Sequence, residues 1–389
     1  MAEHDLKSSY IELSRSAFEN NIAYLRSRCS APIRLSAVIK GNAYGHGISK
    51  YLELAERCGI DHFSVFSADE AAAAHQYRGN PDTRIMIMGM IADEALEWAI
   101  ENGIEYYLFD FGRLQSTIRV AKKMNKKARV HLQIETGMNR FGFHEEEYGR
   151  LMEDIRQNRD WLDVCGVCTH YAGAESIANH VRIQKQNERF QRFLQYAKKE
   201  FADLPRVHAC SSAAFLTYPG MHYDMARIGI ALYGFWPSRE TYMHIKREEG
   251  MAVEDPLIRV LTWKSRVMSV KYVDEGEFIG YGNTYMATRN MRIATVPIGY
   301  THGFARNLTN SGHVLINGGR ANVVGLVNMN MITVDVTDIS GVERGAEVVI
   351  IGKQGDLDIT VSSFGEMSNN LNYEVLTRLP SAIPREIVG

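Results

Sequence analysis

The chain has 389 residues, 45% apolar and 23% charged, with a formal net charge of −2. That length suits two or three domains with an ample core. The near-neutral charge argues against nucleic acid or an anionic membrane as a partner chosen by a global field. No apolar run reaches the about 18 residues of a transmembrane helix. The opening MAEHDLKSSY carries acids and lacks an apolar core, so no signal peptide is expected and the cytoplasm is the expected location.

From about residue 10 to 235 short apolar runs alternate with helical patterns. The strand candidates are RLSAVIK, HFSVF, RIMIMG, YYLFD, RVHLQIE, VCGVCTHY, RVHACSS and MARIGIALYG. Between them lie helix candidates such as ADEAAAAHQYRG, GRLQSTIRVAKKMNK, EEEYGRLMEDIRQN and SIANHVRIQKQNERFQRFLQYAKKEFA. About eight such alternations predict a closed (β/α)8 barrel rather than an open doubly wound sheet. After about residue 240 the runs become short, β-branched and punctuated by glycine, which predicts an all-β second domain. The expected boundaries are 1–240 for the barrel and 241–389 for the β domain. A short helix over SSFGEMSN and a tail, NYEVLTRLPSAIPREI, close the chain.

Five cysteines are too few for a disulfide framework at this length. Cys165 and Cys168 form a CxxC, a pattern of redox chemistry or of half a metal site. No second CxxC completes a zinc ribbon, so the preferred reading is a buried strand using cysteine as a small apolar residue.

Lys40 ends a short apolar strand and precedes a turn containing Gly41, Gly45 and Gly47. In α/β folds that strand end is where sites are built. An ammonium there is either a loop lysine at the surface or an amine of lowered pKa that condenses with a carbonyl. Tyr44 and the glycine backbone offer a phosphate site, with His46 as an added polar group. Lysine plus phosphate on a barrel points to pyridoxal phosphate or to a class I aldolase.

Arg140, in the turn after RVHLQIE, is suited to a phenolate or carboxylate oxygen, or else is a solvated loop residue. His170 ends the next strand, where an imidazole can stack on a flat ring or serve structure alone. His208 and Ser212 follow at the next strand end. Ser212 is either a helix cap or part of a phosphate site. Arg227 stands inside an apolar strand and must face an acceptor, with the backbone of Gly229 and Ile230 just beyond. In the β region FIGYGNTYMA sets Tyr281 and Tyr285 between glycines, where a plain hairpin is the simpler reading. Met329, Asn330 and Tyr373 complete the set.

Taken together these stretches resemble the alanine racemase family of pyridoxal-phosphate enzymes. AVIKGNAYGHG is close to the family's AVVKANAYGHG. ETGMNRFG, THYAGAE, HACSSAA, RIGIALYG, YGNTY, GLVNMN and NYEVLTRLPSAIPR follow in the family's order. The resemblance implies an L-/D-alanine racemase, with Lys40 and Tyr281 as the two catalytic bases. Lys40 would hold pyridoxal 5'-phosphate covalently. Tyr281 would come from the other subunit of a homodimer with shared active sites. Tyr44, Ser212, Gly229, Ile230 and Tyr373 would bind the phosphate. Arg227 would face the pyridine nitrogen and Arg140 the phenolic oxygen. His170 would pack on the ring side and orient Tyr281 through Arg227. Arg140 and Met329 would help hold the substrate. No metal is implied, and supply of D-alanine for cell-wall precursors is the usual role.

The chain departs from the family at several positions. Gln133 stands where a modified lysine is common, so a neutral amide is expected to position Arg140. Leu326 replaces an arginine, Asn330 an acid, His302 an aspartate and Ser211 an asparagine. Glu175 and Arg306 remain as charges at the mouth. These changes leave open a racemase for serine or one of broad specificity. A decarboxylase of the same fold is the weaker alternative, because it needs a cysteine in the β domain and none follows Cys210.

Overall fold

The computed structural model describes residues 7–29, 31–252, 254–368 and 372–389. The chain opens with strand β1 (Ser9–Ser14) and a helix over Arg15–Ser27. Eight parallel strands then close a barrel. They are β2 (Arg34–Val38), β3 (His62–Ser67), β4 (Arg84–Met90), β5 (Glu105–Leu108), β6 (Ala128–Gln133), β7 (Leu162–Cys168), β8 (Arg206–His208) and β9 (Met225–Ile228). Closure is made by β2 on β9, with Arg34 opposite Met225 and Ala37 opposite Ile228. The expected barrel is therefore present, on the eight runs from which it was read.

The helices form for local reasons. In the helix over Phe111–Met124, Asp110 accepts from the Arg113 N–H at 2.8 Å, and Asn125 closes the C-terminus at φ 52°. The helix over His180–Ala197 buries Ile183, Phe190, Phe193, Leu194 and Ala197 along one face. Inside the barrel, Met86, Tyr107, Cys168 and Met225 pack as one cluster. Cys165 and Cys168 both lie on β7 and both are free thiols. Burial pushes the Cys168 thiol up to about 12, so it behaves as a small apolar group.

The chain divides into two compact units at Ile258/Arg259, not at 240/241. The barrel unit holds 17–40 and 52–258. It retains the stretch after 240 by specific bonds. Arg28 pairs with Glu248 at 2.6 Å, and Asn20 Nδ2 donates to Pro256 O at 2.7 Å. Asn21 donates to Ile258 O and accepts from Ile258 N–H, each at 2.8 Å.

The β unit holds the chain up to Ser16, residues 41–51 and residues 259–389. Its larger sheet has seven strands. The order is Gly319–Asn322, His313–Ile316, Glu347–Gln354, Leu261–Arg266, β1 and Arg385–Val388, with Leu357–Ile359 added on Glu347–Gln354. The same unit holds a three-stranded sheet of Ser269–Val273, Met291–Val296 and Ile332–Asp335. The predicted tail is not a tail: Asn372–Thr377 is helical, and Arg385–Val388 pairs in parallel with β1. The short helix spans Val361–Ser368, and Asn369 lies outside the described residues. No described helix is long and apolar enough to cross a membrane.

Candidate active site

The barrel unit gathers most of the expected residues at the C-terminal ends of its strands. Lys40 follows β2 and is solvent-accessible, while Ile39 before it is fully buried. Desolvation by the surrounding rim, then the Arg140 guanidinium, lower the Lys40 ammonium pKa, and Glu70 opposes them. An amine so placed is neutral more often than an ordinary lysine.

Arg140 sits in a turn fixed by one carboxylate. Glu135 accepts from the backbone N–H of Gly137, from Asn139 at 2.9 Å and from Arg140 at 3.3 Å. The Arg140 guanidinium lies over the Phe141 ring, 4.7 Å from its centre. Among the described residues no hydrogen bond joins Gln133 to Arg140, contrary to expectation. The Gln133 side chain turns into the barrel, where it accepts from Cys168 Sγ at 3.1 Å and donates to Ile134 O at 3.4 Å.

Arg227 on β9 is 4% exposed and heavily bonded. Its Nη2 donates to Thr169 O at 2.9 Å, to Ala209 O at 3.0 Å and to His170 Nδ1 at 3.4 Å. Its Nη1 donates to His208 Nδ1. Among the described residues its Nε makes no hydrogen bond, so one N–H is left for a ligand acceptor. Burial, then Arg227 and Arg140, push the His170 imidazole down to about 3, which keeps it neutral.

Ser212 is the first residue of the helix Ser212–Thr217, and the capping position belongs to Ser211. The Ser212 hydroxyl accepts from Gly229 N–H at 3.0 Å and from Ala231 N–H at 3.4 Å. The Ser212 hydroxyl is thus fixed as an acceptor against the turn that contains Ile230.

The β unit carries the remaining residues. Its segment 41–51 opens with a left-handed turn: Gly41, Asn42, Ala43 and Tyr44 have φ of 62°, 53°, 54° and 49°. Each non-glycine residue so placed costs about 1–2 kcal/mol. Several bonds offset this. Gly45 N–H donates to Gly41 O at 3.0 Å, Ile48 N–H to Asn42 Oδ1 at 3.0 Å, and Arg385 Nη2 to Gly45 O at 2.8 Å. Gly45 is obligatory, since a Cβ there would sit 1.8 Å from Leu376 O. The result brings the Tyr44 and Tyr373 rings within 5.9 Å.

Tyr281 is 74% exposed at the tip of a hairpin closed by the Phe278–Met286 bridge. Gly280 and Gly282 flank it at φ 77° and 74°. Leu326 packs on this hairpin: its Cδ1 lies 3.2 Å from where a Gly282 Cβ would be. Met329 is exposed, and its carbonyl accepts from Thr301 Oγ1 at 2.7 Å. Asn330 donates to the same hydroxyl at 3.0 Å, and His302 Nδ1 lies 3.3 Å from it. The substituted positions 302 and 330 therefore meet on Thr301.

The sequence reading missed a buried set on the inner face of the barrel: His62, Glu105 and His131, all fully buried. A carboxylate opening the apolar run EYYL, and histidines in HFSVF and VHLQ, were the available signals.

The models of the alanine racemase N-terminal and C-terminal domains match residues 13–237 and 260–387. An alanine racemase of Leptospira interrogans is 34% identical over 386 residues, covering 99% of this chain and 97% of the relative. A solved alanine racemase of Clostridium difficile 630 superposes with a TM-score of 0.88 at 29% identity, covering 98% of this chain and 96% of that one. An alanine racemase from Bartonella henselae with covalently bound pyridoxal phosphate gives 0.78 at 27% identity, covering 98% and 99%. The chain belongs to the alanine racemase family.

Proposed function

We propose that the protein interconverts L- and D-alanine with pyridoxal 5'-phosphate as cofactor. The observation that carries this reading is the set of Lys40, Arg227 and Ser212 within the barrel unit. The residues fit the cofactor in chemistry. Lys40 has a lowered ammonium pKa, Arg227 keeps Nε for a ring nitrogen, and Ser212 with Gly229 and Ile230 suits a phosphate. Tyr44 and Tyr373 would add hydroxyls to that phosphate, and Arg140 would face the phenolic oxygen.

Pyridoxal phosphate, when bound, supplies the electron sink that makes the α-proton of an amino acid acidic. The protein supplies the rest. Lys40 would hold the cofactor and carry a proton on one face of the substrate. Tyr281 would carry a proton on the other face, so that removal and return on opposite sides invert the centre. Arg227, as a permanent donor, would keep the ring nitrogen unprotonated and so suppress side reactions. Arg140 and the Met329 backbone would hold the substrate carboxylate.

Tyr281 would serve a second copy of the chain in a homodimer. Its exposure supports this, as do its exposed apolar neighbours Phe278 and Met286 on the same hairpin. Leu326, Asn330 and His302 favour a second reading, in which serine or larger amino acids are also racemised. The test is α-proton exchange in deuterium oxide across the L-amino acids, with chiral analysis of each product. Exchange and racemisation of alanine are expected. Decarboxylation, or no exchange with any amino acid, would refute the proposal.

A further inference from the structure

A chain of buried hydrogen bonds runs through the barrel core from Arg227 to one carboxylate. His208 Nδ1 accepts from Arg227 Nη1. His208 Nε2 lies 2.9 Å from His131 Nδ1. His131 Nε2 lies 2.9 Å from Glu105 Oε2. His62 Nε2 reaches the same oxygen at 3.2 Å, and His62 Nδ1 lies 2.8 Å from the Ser36 hydroxyl. The other oxygen of Glu105 accepts from Arg129 Nη2 at 3.0 Å. Glu105 and the three histidines have no exposed surface.

The polarity of this chain is dictated by its ends. A guanidinium only donates, so His208 Nδ1 must be a bare acceptor. The proton of His208 is then on Nε2, which makes His131 Nδ1 the next acceptor. The proton of His131 is on Nε2 and points at Glu105. An ionised carboxylate only accepts, so the far end imposes the same direction. Both imidazoles are neutral, because an added proton would set one donor against another. Burial acts the same way, lowering the pKa of each histidine. No carboxylate touches Arg227 directly among the described hydrogen bonds. Its other acceptors are two carbonyls and His170.

Space for the chain is built in. A Cβ on Gly166 of β7 would lie 2.3 Å from His131 Nδ1 and block the contact with His208. Tyr107 walls the other side, its ring 6.2 Å from both imidazoles.

We propose that Glu105 is a positioning residue for Arg227, acting through His131 and His208 to fix which way every proton in the chain points. Arg227 is thereby held with Nη1 anchored and Nε presented to a ligand. This rests on the reading that Arg227 faces the cofactor ring.

The amide of Glu105→Gln would place N–H groups where only acceptors serve. With Arg129 facing one position, the amide nitrogen would turn to His131 and reverse the chain. His208 would then present Nδ1–H to Arg227, and the two donors would repel. Glu105→Gln and Gly166→Ala thus break one chain by charge and by volume.

The experiment is long-range 1H–15N correlation on full-length protein labelled with 15N-histidine, followed by the 15N shift of the pyridine nitrogen of labelled pyridoxal phosphate bound to it. Wild type should show His131 and His208 as neutral Nε2–H tautomers that do not titrate between about pH 5.5 and 8. Glu105→Gln should convert His131 to Nδ1–H and move the pyridine shift in the direction that Arg227→Lys moves it. Gly166→Ala should move the pyridine shift likewise. Nδ1–H tautomers in wild type would overturn the proposal, whatever the variants do. So would a folded Glu105→Gln protein with unchanged tautomers and an unchanged pyridine shift. Failure of wild type to hold the cofactor would overturn the functional reading alone, and the tautomers would still decide the chain.

Discussion

The barrel unit and the β unit hold their candidate residues in opposite ways. Arg227 is 4% exposed and its guanidinium makes four hydrogen bonds, so its position is over-determined by the barrel. Tyr281 is 74% exposed on a hairpin whose flanking glycines are both left-handed. A group that must keep its charge and direction is buried and tied. Tyr281, by contrast, is held only by its own hairpin and stands in solvent. Substitutions should therefore separate: barrel-side changes disturb the cofactor and stability, hairpin changes disturb turnover alone.

The largest effect is expected at Lys40. Lys40→Ala should lose the absorbance of covalently held cofactor and slow turnover by about 10⁴-fold or more. Full absorbance with undiminished turnover would remove Lys40 from the site. Next is Tyr281→Phe, which should slow turnover by about 10²–10⁴-fold without altering the melting temperature. A large fall in melting temperature would mean that the hairpin is structural and the comparison drawn above is wrong.

Gly45→Ala sharpens the comparison inside the β unit. The added methyl meets Leu376 O, and the residue keeps a φ of 77°. A loss of at least about 3 kcal/mol in urea unfolding is expected. A neutral result would show that the left-handed segment adapts freely.

Acid should act through the barrel core. His62, His131 and His208 have folded pKa values below the ordinary histidine value, chiefly from burial. As pH falls below about 6.5, the unfolded chain takes up protons that the folded chain refuses. Stability should then drop by up to about 1.4 kcal/mol per pH unit for each such histidine. Glu105 adds in the same direction at lower pH, because against burial, which raises it, the hydrogen bonds it accepts from His131 and His62 hold its carboxyl below the usual range. Urea midpoints at pH 7 and 5 measure this, and equal midpoints would contradict it.

The smallest effect is at Leu326. Leu326→Arg introduces, beside the Tyr281 hairpin, the arginine that the family resemblance implies, and should shift the preference between alanine and larger amino acids by about tenfold or less. An unchanged preference would separate this position from specificity.

Much of this was legible in the sequence because local patterns carried it. Eight apolar runs separated by amphipathic helices already imply a barrel, and the strand-end positions of Lys40, His170 and Ser212 follow from it, with Arg227 inside the last strand. β1 was not legible, because its partners, Leu261–Arg266 and Arg385–Val388, lie hundreds of residues away. The boundary at 258 was hidden for a similar reason: side-chain bonds from Asn20, Asn21 and Arg28 draw that stretch into the barrel unit. The left-handed turn was half legible. Gly41, Gly45 and Gly47 announced a tight bend, but Asn42, Ala43 and Tyr44 carry no sign that they share its hand. Gln133 misled because the family comparison assigns a role to its position, whereas the direction of its side chain is set by packing around Cys168.

The most direct test of the central claim follows deuterium uptake at Cα from deuterium oxide, starting separately from L- and D-alanine, in wild type and Tyr281→Phe. Two bases on opposite faces predict uptake from both enantiomers in wild type, and in the variant a loss much greater for one enantiomer than for the other. An equal loss for both, or none, would contradict an account in which Lys40 and Tyr281 serve opposite faces.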